Sequence, residues 1–299
     1  MSDQVRIVEV GPRDGLQNEK TPVSAEARIA FIENLVKAGL HTIEVGSFVS
    51  PKAIPQMVNS DQVLRAVDHH PGFEFHVLVP NEKGYEAAKG AGAKVIAVFA
   101  SASEGFSKAN INCTVAESIQ RFMPVIERAK ADGIKVRGYV SCVLGCPYDG
   151  EVKPSAVVDV TKKLWNLGCY EVSLGDTIGV GTPAKARALL RAAGTEVPMQ
   201  HLAMHFHDTY GQALANLYAG LEEGARVIDS AAGGLGGCPY APGATGNVAT
   251  EDVVYMLEGM GVKTGVDIER LVAATNGIAD LLSKKPVSRV ASALNAKKK

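Results

Sequence analysis

The chain lacks a long apolar segment and an excess of charge of either sign. No apolar run in its 299 residues approaches the roughly 18 residues that a membrane span requires. Its 31 lysines and arginines nearly balance 32 aspartates and glutamates, so no net field attracts nucleic acid or an anionic membrane. We therefore expect neither a nucleic acid nor a membrane as partner.

Cysteine is scarce, and its spacing excludes one common kind of site. Five cysteines are an odd number, which favours reduced thiols in an intracellular compartment. Cys142 and Cys146 have no second cysteine pair, which argues against a zinc ribbon. The first strand-like segment begins near Val5, which predicts no signal or transit peptide. We expect the cytoplasm of a bacterium, or the mitochondrial matrix only if this is a processed eukaryotic chain.

Linkers and low-complexity segments are also missing, so we expect one catalytic domain over residues 1–299. Short β-branched runs alternate with segments of helical period, which is typical of the α/β class with a parallel sheet. Eight such units predict a closed (β/α)8 TIM barrel with an extra C-terminal helix. The expected strands are 5–10, 42–48, 74–80, 94–100, 135–141, 171–177, 202–208 and 227–234. Helices are expected at 25–39, 114–133, 155–168 and, beyond the eighth unit, near 266–282.

Polar residues concentrate where the expected strands end. Functional groups of such barrels lie at the carboxyl ends of the strands and in the loops that follow. One rim is therefore expected to collect Arg13, Asp14, Gln17, Glu44, Asp176, His205, His207, Cys238 and Asn247.

The segment HFHD, residues 205–208, is the first candidate for chemistry. Side chains alternate along a strand, so His205 and His207 face the same side and can reach one ion. A bare H-x-H pair is more often only packed or hydrogen-bonded, but its place at a strand end favours ligation. Asp208 faces the opposite way and is equally well explained as a cap of the following helix.

Asp14 and Asn247 are the nearest oxygen donors for two histidine ligands. A set of two histidines, one aspartate and one asparagine suits Mg²⁺ or Mn²⁺ better than a structural zinc. Alone, Asp14 could be a helix cap or an ion-pair partner of Arg13, and Asn247 could be a turn residue. Only their joint placement indicates a cation site.

A glycine-rich loop, GGLGGCPYAPGATGN at 233–247, surrounds Cys238. Its glycines permit close backbone approach or lid motion, and its thiol could serve as a general acid or base. A lone cysteine is, however, more often a small buried hydrophobe. GVGTPA at 179–184 imitates part of a dinucleotide fingerprint, but the next strand ends in histidines and not in a ribose-binding acid.

Taken together, these motifs resemble the 3-hydroxy-3-methylglutaryl-CoA lyases of the metal-dependent lyase and Claisen-synthase superfamily. The resemblance covers nearly the whole chain, through VEVGPRDGLQNEK, SFVSPK, VRGYVSCVLGCPY, SLGDTIGVGTP, HFHDTYGQALAN and GLGGCPYAPGATGN. The Arg-Asp and H-x-H pairs are shared across the superfamily, whereas the cysteine loop is similar to that of the lyases in particular.

The resemblance implies cleavage of 3-hydroxy-3-methylglutaryl-CoA to acetoacetate and acetyl-CoA by a homodimer that uses Mg²⁺ or Mn²⁺. It makes Asp14, His205, His207 and Asn247 the cation ligands and Arg13 a catalytic cation. Cys238 becomes the loop cysteine and a candidate proton shuttle, and the acids supporting the site are Glu44 and Asp176. Lys20 is a candidate contact to the phosphates of CoA, although it is equally well explained as a solvated surface lysine.

Three other functions are compatible with the same residues. A Claisen-type synthase would use the same cation and arginine to join acetyl-CoA to a keto acid, but the cysteine loop argues against it. A metallohydrolase would use a similar ion. A non-catalytic CoA- or metal-binding barrel is disfavoured, because every polar residue expected on the rim is present in the sequence.

Overall fold

The computed structural model describes residues 4–237 and 246–297, and its centre is a closed parallel barrel. The eight strands pair in the order of the sequence, and β8 pairs with β1 to close the sheet. This confirms the predicted (β/α)8 barrel. The strands are β1 Arg6–Glu9, β2 Thr42–Ser47, β3 Glu74–Leu78, β4 Val95–Ser101, β5 Lys135–Ser141, β6 Glu171–Asp176, β7 Leu202–Phe206 and β8 Val227–Ser230.

Helices surround the barrel and begin and end at local sequence signals. Ser24 accepts a hydrogen bond from the backbone of Ala27 at the start of the first helix. Gly168 ends the sixth with φ 111°, a left-handed conformation that glycine adopts readily. The helices in the described residues are α1 Ala25–Lys37, α2 Ser60–Val67, α3 Glu82–Gly90, α4 Glu104–Ile111, α5 Val115–Ala131, α6 Pro154–Leu167, α7 Pro183–Ala193, α8 Ala213–Glu222, α9 Thr250–Gly259, α10 Ile268–Leu281 and α11 Arg289–Lys297.

Two layers of side chains alternate along the strands. One set packs outward against the helices in a large apolar core that includes Phe206, Leu217 and Val253. The other set fills the barrel interior, partly with small apolar groups such as Val8 and Ala203. The rest of the interior is polar, as described below, and this polar filling supports the functional rim.

The end of the chain differs from expectation in two ways. The eighth strand ends at Ser230 and not at residue 234: a short 3₁₀ turn begins at Ala232, and Gly233 and Gly234 have left-handed φ values of 67° and 69° that are incompatible with a strand. The helix expected near 266–282 is present as α10, and within residues 4–237 and 246–297 a second one, α11, follows it. Within the described residues, no helix is both long and apolar enough to cross a membrane.

Candidate cation site at the carboxyl ends of the strands

Asp14, His205 and His207 come together at the carboxyl ends of β1 and β7. Their ligand atoms all lie within 4.8 Å of one another. Asp14 is carried by a single π-helical turn, Gly11–Gly15, that directly follows β1, and such turns are frequent at functional sites. His205 lies in β7, and His207 directly follows it. The alternation expected from HFHD therefore places both imidazoles beside the carboxylate.

The electrostatics of this trio suit a cation. Burial and the neighbouring His205 lower the pKa of His207 to about 4, so its imidazole is neutral at neutral pH. Burial alone would raise the pKa of Asp14, but Arg13 and the two histidines lower it to about 2. The pKa of His205 is lowered by burial but raised above its usual value overall by Asp229 and Asp14. The two carboxylates that favour a proton on His205 equally favour a cation beside it.

Nδ1 of His207 is a buried polar atom with no hydrogen-bond partner among the described residues. The backbone of Thr177 approaches the ring, but no hydrogen bond of acceptable geometry reaches Nδ1 within the described residues. An unsatisfied buried ring nitrogen costs free energy unless a ligand completes it. The trio therefore fits a bound cation, and two nitrogen donors with a carboxylate suit Mn²⁺ or Mg²⁺ when oxygen donors complete the set.

Asn247 is brought to the site by strand-like pairing. Its backbone forms an isolated bridge with His207, and the backbone nitrogen of Asp208 donates to the carbonyl of Gly246 at 2.9 Å. The Asn247 side chain is buried, and its Nδ2 donates to Asp14 Oδ2 at 2.9 Å and to the Leu235 carbonyl at 3.1 Å. The structure thus places the amide nitrogen next to Asp14, whereas a cation ligand would be the amide oxygen.

Arg13 is buried between two carboxylates. Its Nε donates to Glu44 Oε2 at 2.7 Å, and Nη1 donates to Asp14 Oδ1 at 2.6 Å. Burial lowers the pKa of Arg13, but Glu44 and Asp14 outweigh burial and hold it above its ordinary value. The guanidinium is therefore a permanent, fixed positive charge directly beside the ligand trio.

Glu44 and Tyr139 contact Arg13 from the barrel interior. Glu44 is fully buried in β2, and only its Oε2 is engaged by Arg13; Oε1 has no hydrogen-bond partner among the described residues. Tyr139 donates to Glu44 Oε2 at 3.4 Å, and its ring lies 5.8 Å from the Arg13 guanidinium carbon. Tyr139 was not predicted from the sequence. It lies two residues after Arg137 in β5, so both polar side chains face the same side of a mostly buried strand, and this pattern could have indicated them.

Asp229 in β8 is the most informative residue that sequence reasoning missed. His205 donates from Nδ1 to Asp229 Oδ2 at 3.2 Å, because an ionised carboxylate only accepts. Arg137 in β5 crosses the barrel interior and forks onto both Asp229 oxygens at 3.0 and 2.7 Å. Burial would raise the pKa of Asp229, but Arg137 and His205 hold it well below its usual range. Asp229 thereby fixes the His205 tautomer that leaves Nε2 free towards Asp14.

Replacing Asp229 by asparagine is expected to weaken Mn²⁺ binding by about 10- to 100-fold, the usual cost of losing a partner of a metal-binding histidine. Isothermal titration of Mn²⁺ into the folded variant measures this. Ser173→Ala is the matched control, because Ser173 also donates to Asp229 Oδ2, at 2.8 Å, but forms no hydrogen bond with His205 within the described residues. Equal Mn²⁺ affinity in Asp229→Asn and wild type would contradict the role.

Asp176 and Asp208 lie near the histidines, and their carboxylates accept hydrogen bonds from different backbone segments. Asp176 in β6 is buried, and its carboxylate accepts from the backbone of Val180 at 3.2 Å and of Gly181 at 2.8 Å. It therefore orders the loop that follows β6. Asp208 accepts from the backbone of Ala213 at 2.9 Å and caps α8, as the alternation of side chains suggested.

Two further candidates lie away from the ligand trio or outside the described residues. Lys20 is exposed, and no ion pair is formed by it within residues 4–237 and 246–297. Cys238 and the tip of its glycine-rich loop lie outside the described residues. The stem of that loop is anchored near the site, because Leu235 receives the Asn247 hydrogen bond described above.

A family model described as HMGL-like matches residues 4–278. The chain belongs to the HMGL-like family. The 3-hydroxy-3-isohexenylglutaryl-CoA/hydroxy-methylglutaryl-CoA lyase of Pseudomonas aeruginosa is 57% identical over 294 residues, 98% of this chain and 98% of its own. These findings confirm the resemblance to the HMG-CoA lyases that the motifs indicated.

Solved structures of HMGL-like proteins superpose closely on this chain. A crystal structure of hydroxymethylglutaryl-CoA lyase from Pseudomonas aeruginosa has a TM-score of 0.97 and 57% identity, covering 99% of this chain and 98% of its own. An HMG-CoA lyase from Acinetobacter baumannii in complex with coenzyme A and 3-methylmalate has a TM-score of 0.94 and 36% identity, covering 98% of this chain and 96% of its own. The barrel is therefore that of the HMG-CoA lyases.

Proposed function

We propose that this chain cleaves 3-hydroxy-3-methylglutaryl-CoA to acetoacetate and acetyl-CoA with the help of a divalent cation. The observation that carries the proposal is the buried Arg13 guanidinium fixed at 2.6 Å from Asp14, which itself belongs to the ligand trio. Relatives named as lyases of this substrate support it, as does the neighbour from Acinetobacter baumannii that binds coenzyme A.

The reaction places definite demands on the site. The tertiary hydroxyl of the substrate gives its proton to a general base while the bond between C2 and C3 breaks. The electrons of that bond pass to the thioester, which becomes an enolate, and the other fragment leaves as the ketone acetoacetate. The enolate carbon then takes up one proton to give acetyl-CoA. Two positive groups are needed, one near the hydroxyl oxygen and one near the enolate oxygen.

The residues of the rim meet these two demands separately. Asp14, His205, His207 and, through its amide oxygen, Asn247 would hold the cation. When bound, Mg²⁺ or Mn²⁺ would supply Lewis acidity that favours loss of the hydroxyl proton. Arg13 stabilises the enolate oxygen, because it is permanently charged and desolvated.

Other side chains act on these groups and on the substrate. Glu44 orients Arg13 through the 2.7 Å hydrogen bond from Nε. Asp176 orders the loop behind His207, whose backbone nitrogen donates to the Asp176 carbonyl at 3.4 Å. Cys238 is our candidate for protonation of the enolate carbon, and Lys20 is our candidate contact for the CoA phosphates.

The assembly and the compartment of the protein belong to the same proposal. We propose a homodimer in the cytoplasm of a bacterium, with an acyl-CoA as the small-molecule partner. The name of the Pseudomonas aeruginosa relative also includes a substrate with an isohexenyl group, so a longer substituent at C3 is a second substrate worth testing.

Incubation with Mn²⁺ and 3-hydroxy-3-methylglutaryl-CoA is expected to release acetoacetate and acetyl-CoA in equal amounts. The isohexenyl analogue, assayed in parallel, reports how strictly the methyl group is recognised. Release of free CoA without acetoacetate would instead indicate a hydrolase. Binding of the substrate without any product would indicate a non-catalytic barrel, and either result would overturn the proposal.

A further inference from the structure

A second group of potential ligands lies at the other end of the barrel. Glu33 in α1 and His69 and His70, which follow α2, have ligand atoms that all lie within 4.8 Å of one another. The histidines precede β3, so they belong to the amino ends of the strands, whereas the Asp14 trio lies at the carboxyl ends. In barrels of this kind, the amino end contributes to stability and not to catalysis.

His69 already has the tautomer of a metal-binding histidine. Its Nδ1 lies 2.8 Å from the backbone carbonyl of Ala66. A carbonyl oxygen only accepts, so Nδ1 carries the proton and Nε2 keeps its lone pair. The side chain is exposed, which leaves an entry path for an ion. A backbone carbonyl behind Nδ1 is the usual outer-shell partner of a metal-binding imidazole.

His70 and Glu33 are preassembled next to it. His70 Nε2 lies 2.9 Å from Glu33 Oε1, and both side chains are half-buried, with exposures of 21% and 24%. Phe73 and Phe75 pack against the His70 ring at centroid distances of 5.8 and 6.4 Å. The His69 and His70 rings lie 4.1 Å apart. This packing lowers the ordering cost that an ion would otherwise meet.

The hydrogen bond between His70 and Glu33 holds these two side chains together, and Nε2 of the neighbouring His69 is left available to a ligand. Two imidazoles and one carboxylate, with a fourth position left for water, match the ligand preferences of Zn²⁺. Mg²⁺ prefers oxygen ligands and fits poorly. The Asp14 trio has the same donor types and differs in having the Asn247 side chain beside it, whose amide oxygen would add the oxygen donor that Mg²⁺ prefers.

We propose that Glu33, His69 and His70 form a Zn²⁺ site that links α1 to the connection between α2 and β3. An ion that binds only the folded chain stabilises the folded state, because it shifts the unfolding equilibrium towards that state. The proposal is independent of the catalysed reaction.

Zn²⁺ titration of the full-length protein tests this site. His207→Ala weakens the cation site at the carboxyl ends of the strands, so that Zn²⁺ binding at the second site can be measured apart from it. In that background we expect one Zn²⁺ per chain, a higher melting temperature with Zn²⁺, and no comparable effect of Mg²⁺. Adding His69→Ala is expected to weaken Zn²⁺ binding by more than about tenfold and to abolish the thermal shift.

His41→Ala is the matched control. His41 is a nearby exposed histidine that stacks on Phe73 at 4.5 Å but does not belong to the ligand group. Its loss is expected to leave Zn²⁺ affinity unchanged. The proposal is overturned if His207→Ala alone removes all Zn²⁺ binding, if His69→Ala binds as before, or if His41→Ala weakens binding as much as His69→Ala.

Discussion

Arg13→Gln is expected to lower kcat for lyase turnover by about 100- to 1000-fold, the usual cost of removing one donor that stabilises an oxyanion, about 2.7–4 kcal/mol. The neutral amide cannot offset the charge that develops on the enolate oxygen. Steady-state kinetics with 3-hydroxy-3-methylglutaryl-CoA measures the effect. Mn²⁺ affinity is expected to change much less, because Arg13 is not a ligand.

The variant also leaves the buried Glu44 without its positively charged partner. The loss of stability that follows must be distinguished from a loss of catalysis. The double variant Arg13→Gln with Glu44→Gln removes the uncompensated carboxylate and is expected to restore stability but not turnover. Arg13→Lys keeps the charge but loses the fork that reaches both Glu44 and Asp14, so it should be intermediate. Turnover of Arg13→Gln within about tenfold of wild type would rule out enolate stabilisation by Arg13.

His207→Ala is expected to weaken Mn²⁺ binding by more than the roughly 10- to 100-fold that loss of an outer-shell partner costs, because it removes a ligand atom itself. Lyase turnover at low Mn²⁺ should fall at least in proportion. Isothermal titration gives the affinity, and activity measured against Mn²⁺ concentration shows whether excess ion restores turnover.

His201→Ala separates the loss of a ligand from the loss of any histidine in this part of the chain. His201 lies just before β7, at the amino end of the strand, and its Nδ1 contacts the Tyr170 carbonyl at 2.9 Å. Its removal is expected to leave Mn²⁺ affinity intact. If His207→Ala bound Mn²⁺ as tightly as His201→Ala, His207 would no longer count as a ligand.

Several parts of the site follow from local sequence. Strand alternation predicts that His205 and His207 face one side, and both do lie beside Asp14. Arg13-Asp14 and HFHD each follow an expected strand, and the parallel arrangement brings such ends to one rim. The same local reasoning placed the end of the eighth strand too late, because the chain turns at Ala232 and the left-handed conformation of Gly233 and Gly234 excludes them from a strand.

Contacts that cross the barrel could not be predicted in the same way. Asp229 and Arg137 belong to β8 and β5, which are not neighbours in the sheet, so their ion pair exists only because the sheet closes. Asp176 lies at the expected rim, yet its carboxylate binds loop backbone, since the turn after β6 folds back onto it.

The sequence by itself determined the (β/α)8 class, the polar rim and the residue types suited to a divalent cation, because strand period, helix caps and donor chemistry are local properties. Only the tertiary structure decided which polar residues meet. It paired Arg13 with Glu44, placed Asp229 behind His205, and brought Glu33 to His69 and His70 at the opposite end. These pairings join residues from separate strands and helices, and closure of the barrel sets the distances between them.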